Sequence, residues 1–122
     1  MIKRGTWLNA ADNSGAVKLK CIGFVGLGNR EGAGIGDVIV CSVKKALPRK
    51  QVSAGQVVKA IVVRQRRSWR RQDGSSVRFE ENAAVLLKST KELLGNRIFG
   101  PIPRELRNNR VEKIVNLAQE LV

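Results

Sequence analysis

The chain contains no histidine and no tyrosine, and its 122 residues include only two cysteines, two tryptophans and three phenylalanines. Each shortage removes a class of chemistry. Without histidine, the side chain most often used for acid–base work and metal ligation near neutral pH is missing. Cys21 and Cys41 lie in apolar runs with no Cys-x-x-Cys spacing, too few ligands for a zinc site. They read as buried small hydrophobes in a reducing compartment. No nucleophile stands beside a recognisable base. Glu80 and Glu81 are neighbours, so on a strand they point to opposite faces and do not form a facing acid–base pair. Gly26–Gly32 (GLGNREG) lacks both the spacing and the following amphipathic helix of a dinucleotide loop. The start, MIKRGTWLNAAD, is basic but has no apolar stretch or cleavage site of a signal peptide, and no run approaches membrane-span length. The expectation is therefore a protein that is not an enzyme, with no cofactor, no metal and no membrane partner.

Acid is scarce as well. Ten Asp and Glu face 23 Lys and Arg, for a formal charge of +13 and a pI near 10.9. Such a surplus repels itself in a compact state, and a polyanionic partner, with nucleic acid foremost, is the simplest reason to carry it. The hydrophobic content of 43% is ordinary for a globular domain and argues against disorder.

The apolar residues that are present recur with period two or in short continuous runs separated by turn chemistry. Thr6–Ala10 leads into Asp12–Gly15 (DNSG), a tight turn, and Ala16–Val25 then alternates, with Val17, Leu19 and Cys21 on one side. Gly26–Gly36 holds five glycines in eleven residues and reads as a mobile loop. Asp37–Lys44 is the next strand, Pro48–Gly55 a basic connection, Val57–Val63 (VVKAIVV) a strand buried on both sides, and Ala83–Leu87 another short strand. Five or more short strands with glycine corners suggest a small closed barrel, which removes exposed sheet edges.

The last third changes period. Val111, Ile114, Val115, Ala118, Leu121 and Val122 fall on one helical stripe, with Asn109 as cap and Glu112 completing an approximate capping box. Pro103 opens a single helical turn through Arg107. The stripe is expected to pack on the barrel. The chain reads as one domain, 1–122, with the barrel over about 1–95 and a C-terminal segment of one or two short α-helices over about 100–122.

One stretch stands apart: Arg64–Gly74, RQRRSWRRQDG. A two-residue turn at Asp73–Gly74 sets Trp69 against Arg78, Arg67 against Glu80 and Arg66 against Glu81. Arg78 would then cover the Trp69 ring. This hairpin keeps a surplus of cations, because Arg70 and Arg71 have no opposing acid near the tip. Arginine's planar fork takes two phosphate oxygens and stacks on bases, so the hairpin is a candidate RNA-gripping finger. Trp69 is left open between stacking on a base, packing on the barrel and covering Arg78.

Further residues carry a family resemblance. Ala60–Val63 (AIVV), a nine-residue gap, then Asp73, Gly74, Phe79, Asn82, Val85 and Leu86 form a pattern that resembles the signature of the large-subunit ribosomal protein fourteen family. Leu8–Asn9, Ala11–Ala16 (ADNSGA), Gly36–Asp37, Pro48–Arg49, Arg97–Pro101 (RIFGP) and Arg104–Arg107 (RELR) resemble its bacterial-type pattern in the same order along the chain.

The resemblance implies a five-stranded barrel, mainly β, with small C-terminal helices. It implies contact with large-subunit ribosomal RNA, a share in an intersubunit bridge to small-subunit ribosomal RNA, a neighbour in large-subunit protein nineteen, and docking of a ribosome silencing factor. Location would be the ribosome of a bacterial cytoplasm or an organelle matrix, mitochondrion or plastid. The expected RNA contacts are Arg49, Lys50, Arg64, Arg66, Arg67, Trp69, Arg70, Arg71, Arg78, Arg104 and Arg107. The silencing-factor surface maps onto Asn96, Arg97 and Lys113. Family members commonly have threonine at the position of Asn96, and Gln119 stands where proline is common, which implies a last helix running a turn further.

Overall fold

Short runs rich in Val, Ile and Ala, punctuated by glycine turns, cannot each bury two faces alone, and they solve this by curling into a barrel. The computed structural model describes residues 1–28, 30–89, 92–108 and 113–122. Strands β1 (Trp7–Ala10), β2 (Ala16–Phe24), β3 (Val38–Ala46), β4 (Val57–Arg64) and, after the finger, β7 (Ala83–Ser89) hydrogen-bond in the order β1-β2-β3-β4-β7. The parallel pairing of β1 with β7, Asn9 opposite Ala83 and Ala10 opposite Ala84, closes this five-stranded barrel. Register shifts within β2–β3 and β4–β7 bend the strands enough to close so small a cylinder.

Between β4 and β7 lies the finger, β5 (Trp69–Arg70) and β6 (Ser76–Val77). After β7 come the short β8 (Glu92–Leu93), β9 (Ile98–Ile102), a 3-10 turn at Arg104–Asn108, helix α1 (Lys113–Leu117) and β10 (Ala118–Leu121). β10 runs parallel to β9, with Ala118 opposite Ile98 and Leu121 opposite Ile102.

Two cores explain the continuous apolar runs. Inside the barrel pack Leu8, Leu19, Cys21, Ile39, Cys41, Val43, Ala60, Val62, Ala84 and Leu86. Residues of opposite parity on the same two strands, Ile61, Val63, Ala83, Val85 and Leu87, point outward into a second cluster with Ile98, Ile102, Leu106 and Ile114. The C-terminal segment thus covers the outer face of β4 and β7. Burial on both sides holds only for the second half of β4; Val57, at its start, is 60% exposed. Cys21 and Cys41 are free, fully buried and directly opposite each other across β2–β3.

Several expectations need correcting. The chain does not stay helical to its end. Helix α1 stops at Leu117, and Ala118–Leu121 turn into a strand, because β9 offers an unpaired edge beside them. The Gln119 side chain accepts the Gly100 N–H at 3.1 Å, so it ties strand to strand instead of extending a helix. The expected cap at Asn109, its partner Glu112 and the stripe's first residue, Val111, lie outside the described residues. The glycine-rich loop after β2 is pinned where Ala33, fully buried, exchanges both backbone hydrogen bonds with Ile2 at 2.7 Å.

Candidate nucleic-acid interface

The finger is built with a different register from the one its Asp-Gly sequence suggested. Trp69 pairs with Val77 and Arg70 with Ser76, and the Arg71 N–H donates to the Ser75 carbonyl at 2.8 Å. The loop therefore has three residues, Gln72, Asp73 and Gly74, with Gly74 left-handed at φ 88°. Asp73 fixes it by accepting from the Ser75 N–H at 3.0 Å and hydroxyl at 2.6 Å, and those bonds hold the Asp73 carboxyl below its ordinary pKa. One extra loop residue moves every cross-strand partner by one. Trp69 meets Phe79, ring centroids 5.9 Å apart and tilted by 32°, and not Arg78.

The expected pairs Arg66–Glu81 and Arg67–Glu80 do not form. Glu81 instead takes Arg64, Nη2 to Oε1 at 2.8 Å, and the Asn9 amide at 2.5 Å. Arg64 also donates to the carbonyls of Phe99 at 2.8 Å and Pro101 at 3.0 Å. Its side chain is 8% exposed. A Cβ at Gly100 would stand 2.7 Å from the Arg64 guanidinium, and Gly100 is left-handed at φ 81°. The slot thus requires glycine. Arg64, expected on the RNA surface, is an internal brace joining β4, the base of the finger and β9.

Arg71 is likewise not a free tip. Its guanidinium donates to both Glu105 oxygens, at 2.5 and 3.3 Å, and to the Val122 carbonyl at 2.7 Å, leaving 13% of the side chain exposed. Next to it Arg104 approaches Asp73 at 3.8 Å. These contacts latch the finger to the C-terminal segment across a cleft of about 520 Å³. Sequence gave no sign of either brace, since Glu105 is 34 residues from Arg71. The one local hint is that Arg64 directly extends the buried run of β4.

What remains is a cationic face. Arg66, Arg67, Arg70 and Arg78 are exposed and, among the described residues, have no ion pair. The amino group of Met1 is held below its ordinary pKa by burial and then by the like charges of Arg67 and Lys3, a sign of how densely cations sit at the finger's base.

A second basic feature is the corner where the β1–β2 turn, the β3–β4 connection and the segment before β9 meet. A cleft of about 490 Å³ is lined there by Asn13, Arg49, Lys50, Gln51 and Asn96 and by no acid. Arg49 has φ 61°, the left-handed region. Asn13 Oδ1 accepts from the Asn96 and Arg97 N–H groups at 2.9 and 3.2 Å, and its amide donates to Asn96 Oδ1 at 2.5 Å. Asn13 thus fixes the backbone of Asn96 and Arg97 and ties the Asn96 side chain to itself, and both residues are exposed. Lys113 is exposed on α1 and, among the described residues, makes no hydrogen bond or ion pair with either. Arg107 is exposed in the 3-10 turn.

The turn that carries Asn13 is locked to the barrel by Asp12. Its carboxylate accepts from the Ser14 hydroxyl at 2.6 Å and from the Leu86 N–H at 2.8 Å, while burial raises its pKa. Cys41 is pushed up to about 12 by burial, with the neighbouring Cys21 adding to the shift, and Cys21 is raised by burial as well. Neither is a reactive thiol.

The rings do not line one sheet face: Trp69 and Phe79 sit on the finger, Trp7 on β1, Phe24 at the end of β2 and Phe99 on β9. Ile114 is fully buried and Leu117 packs against the same cluster, so the helical stripe faces the barrel and not a partner.

A closed barrel with a braced arginine finger and a surface dominated by cations defines a basic scaffold protein. The model of the family described as ribosomal protein L14p/L23e matches residues 1–122, and the chain belongs to that family. It is a structural constituent of the large ribosomal subunit, acts in translation and is not an enzyme.

Proposed function

We propose that the protein binds large-subunit ribosomal RNA through phosphate contacts from the exposed finger arginines Arg66, Arg67, Arg70 and Arg78, supported by Arg49, Lys50, Arg104 and Arg107. The observation that carries this is the set of four finger arginines left without an ion pair among the described residues, on a hairpin braced from below by Arg64 and from the side by Arg71. Bracing matters because a pre-ordered cation loses less freedom when it meets a phosphate. Arg64 and Arg71 drop out of the contact set and act as supports, and Trp69, half-buried and in contact with Phe79, leaves only part of its ring for RNA. Each phosphate neutralised contributes a slope of roughly −0.7 to −0.9 to log K against log salt.

The test is incorporation of R66E/R70E protein into large subunits on sucrose gradients, with protein–RNA crosslinking of the wild type. Loss of the subunit peak with an unchanged melting temperature is expected; full incorporation would sink the assignment.

The same reading extends to partners. Within this proposal the further partners are small-subunit RNA at an intersubunit bridge and large-subunit protein nineteen, as the family resemblance implies. Docking of a silencing factor on Asn96, Arg97 and Lys113 is supported by the exposure of all three residues.

A further inference from the structure

Trp7 is 54% exposed on β1, although the chain has few rings to spend on solvent. Opposite it in the β1–β2 register is Lys20, whose Nζ lies 5.9 Å from the Trp7 ring centroid. Beside the ring opens a cleft of about 410 Å³ between the barrel and the base of the finger, lined by Lys18, Arg66, Glu80 and Asn82. Its floor is already satisfied: Lys18 donates to Asn9 Oδ1 at 2.7 Å, and Asn9 donates to Glu81, which Arg64 neutralises. Lys18, Arg66 and Glu80 are exposed at the rim.

We propose that this cleft holds one unpaired nucleotide of an RNA strand, its base stacked on Trp7 and its phosphate between Lys18 and Arg66. The inference rests on the RNA-binding reading above and shares Arg66 with it, but otherwise concerns the barrel side of the finger. The chemistry selects the occupant. An apolar protein side chain would need apolar company around the indole, because interface anchors sit in desolvated apolar pockets, whereas here the ring is surrounded by charged and amide groups. A nucleobase matches that pattern, with a flat π face for the indole and polar edges for Glu80 and Asn82. A base-paired nucleotide hides its face in the stack, so the strand must be unpaired at this point.

The experiment uses the full chain carrying W69F, which leaves Trp7 as the single tryptophan, titrated with a single-stranded adenylate decamer and with the same decamer annealed to oligouridylate. The single strand is expected to quench Trp7 emission and the duplex to leave it unchanged. W7A should weaken decamer binding roughly tenfold without changing the melting temperature or the salt slope, because indole carries no charge, and W7F should restore most of the affinity. Unquenched emission at saturating decamer, equal quenching by the duplex, or wild-type affinity in W7A would overturn the inference and leave the phosphate-clamp reading standing. A wild-type protein with no salt-dependent affinity for large-subunit RNA would overturn that reading, and this one with it.

Discussion

Arg71 of the finger and Glu105 of the C-terminal segment meet as a two-point ion pair, Nε to Oε1 at 2.5 Å and Nη2 to Oε2 at 3.3 Å. A third bond to the Val122 carbonyl makes Arg71 the latch between the two elements that flank the cleft. Glu105 is 37% exposed, so the pair itself contributes only about 0.5–1 kcal/mol after solvent screening. R71A also leaves the Val122 carbonyl without this donor and is expected to cost about 1–2 kcal/mol in all, a fall in melting temperature of roughly 4–8 °C. A double-mutant cycle with E105Q measures the coupling. Additive effects would show that Arg71 and Glu105 do not act as a pair.

Arg70, one residue earlier, has no such partner among the described residues. R70E should leave the melting temperature within about 1 °C of wild type while weakening RNA binding and flattening its salt dependence by roughly one phosphate's share. Reversing Arg70 and Arg71 together confounds the two roles. The informative comparison is R70E against R71A, read by both melting and salt titration, and identical profiles for the two variants would contradict the division of labour.

Arg64 is the more demanding residue. R64L removes the cation from Glu81 and the donors from the Phe99 and Pro101 carbonyls, with an expected loss of about 3 kcal/mol. R64K recovers only part of it, since a point charge on a flexible stem cannot serve all three acceptors at once. Denaturant unfolding checks this. Wild-type stability in R64L would mean that the brace is dispensable.

Asp12 predicts a pH dependence. Burial raises its folded pKa above the unfolded value, so the folded state binds this proton more tightly. On this group alone, stability is greatest below the unfolded pKa and falls as pH rises through the folded value. Asp73 behaves oppositely: its lowered pKa contributes stability above the unfolded value that is lost as pH falls through the folded one. Carboxyl-carbon NMR titration should therefore find the Asp12 midpoint above that of Asp73. The reverse order would show that the hydrogen bonds from Ser14 and Leu86, which lower the Asp12 pKa, outweigh its burial, against this prediction.

Cys21 and Cys41 should resist thiol reagents in the native protein at pH 8 and react together on unfolding, because both are fully buried and Cys41 is pushed up to about 12. Rapid labelling of either thiol by a disulfide reagent in the absence of denaturant would contradict this packing.

Sequence by itself determined the barrel strands, their turns and the sign of the surface, because alternation, glycine corners and net charge are local or summed properties. Strand β4 was legible from VVKAIVV, the DNSG turn from its side chains, and the short turn after Pro103 from the proline itself. Which face of each strand is buried by what, and which arginines remain free, were decided only by the tertiary structure. A single extra residue in the finger loop moved Trp69 from Arg78 to Phe79, and Glu81 went to Arg64 rather than Arg66. The edge of β9 turned Ala118–Leu121 of the expected helix into a strand. Charge pairing and strand docking depend on contacts between distant segments, and the energies involved are comparable to the local preferences they override. Composition therefore established that the finger is cationic. Only the fold could divide its arginines into two that hold the finger in place and four that face outward.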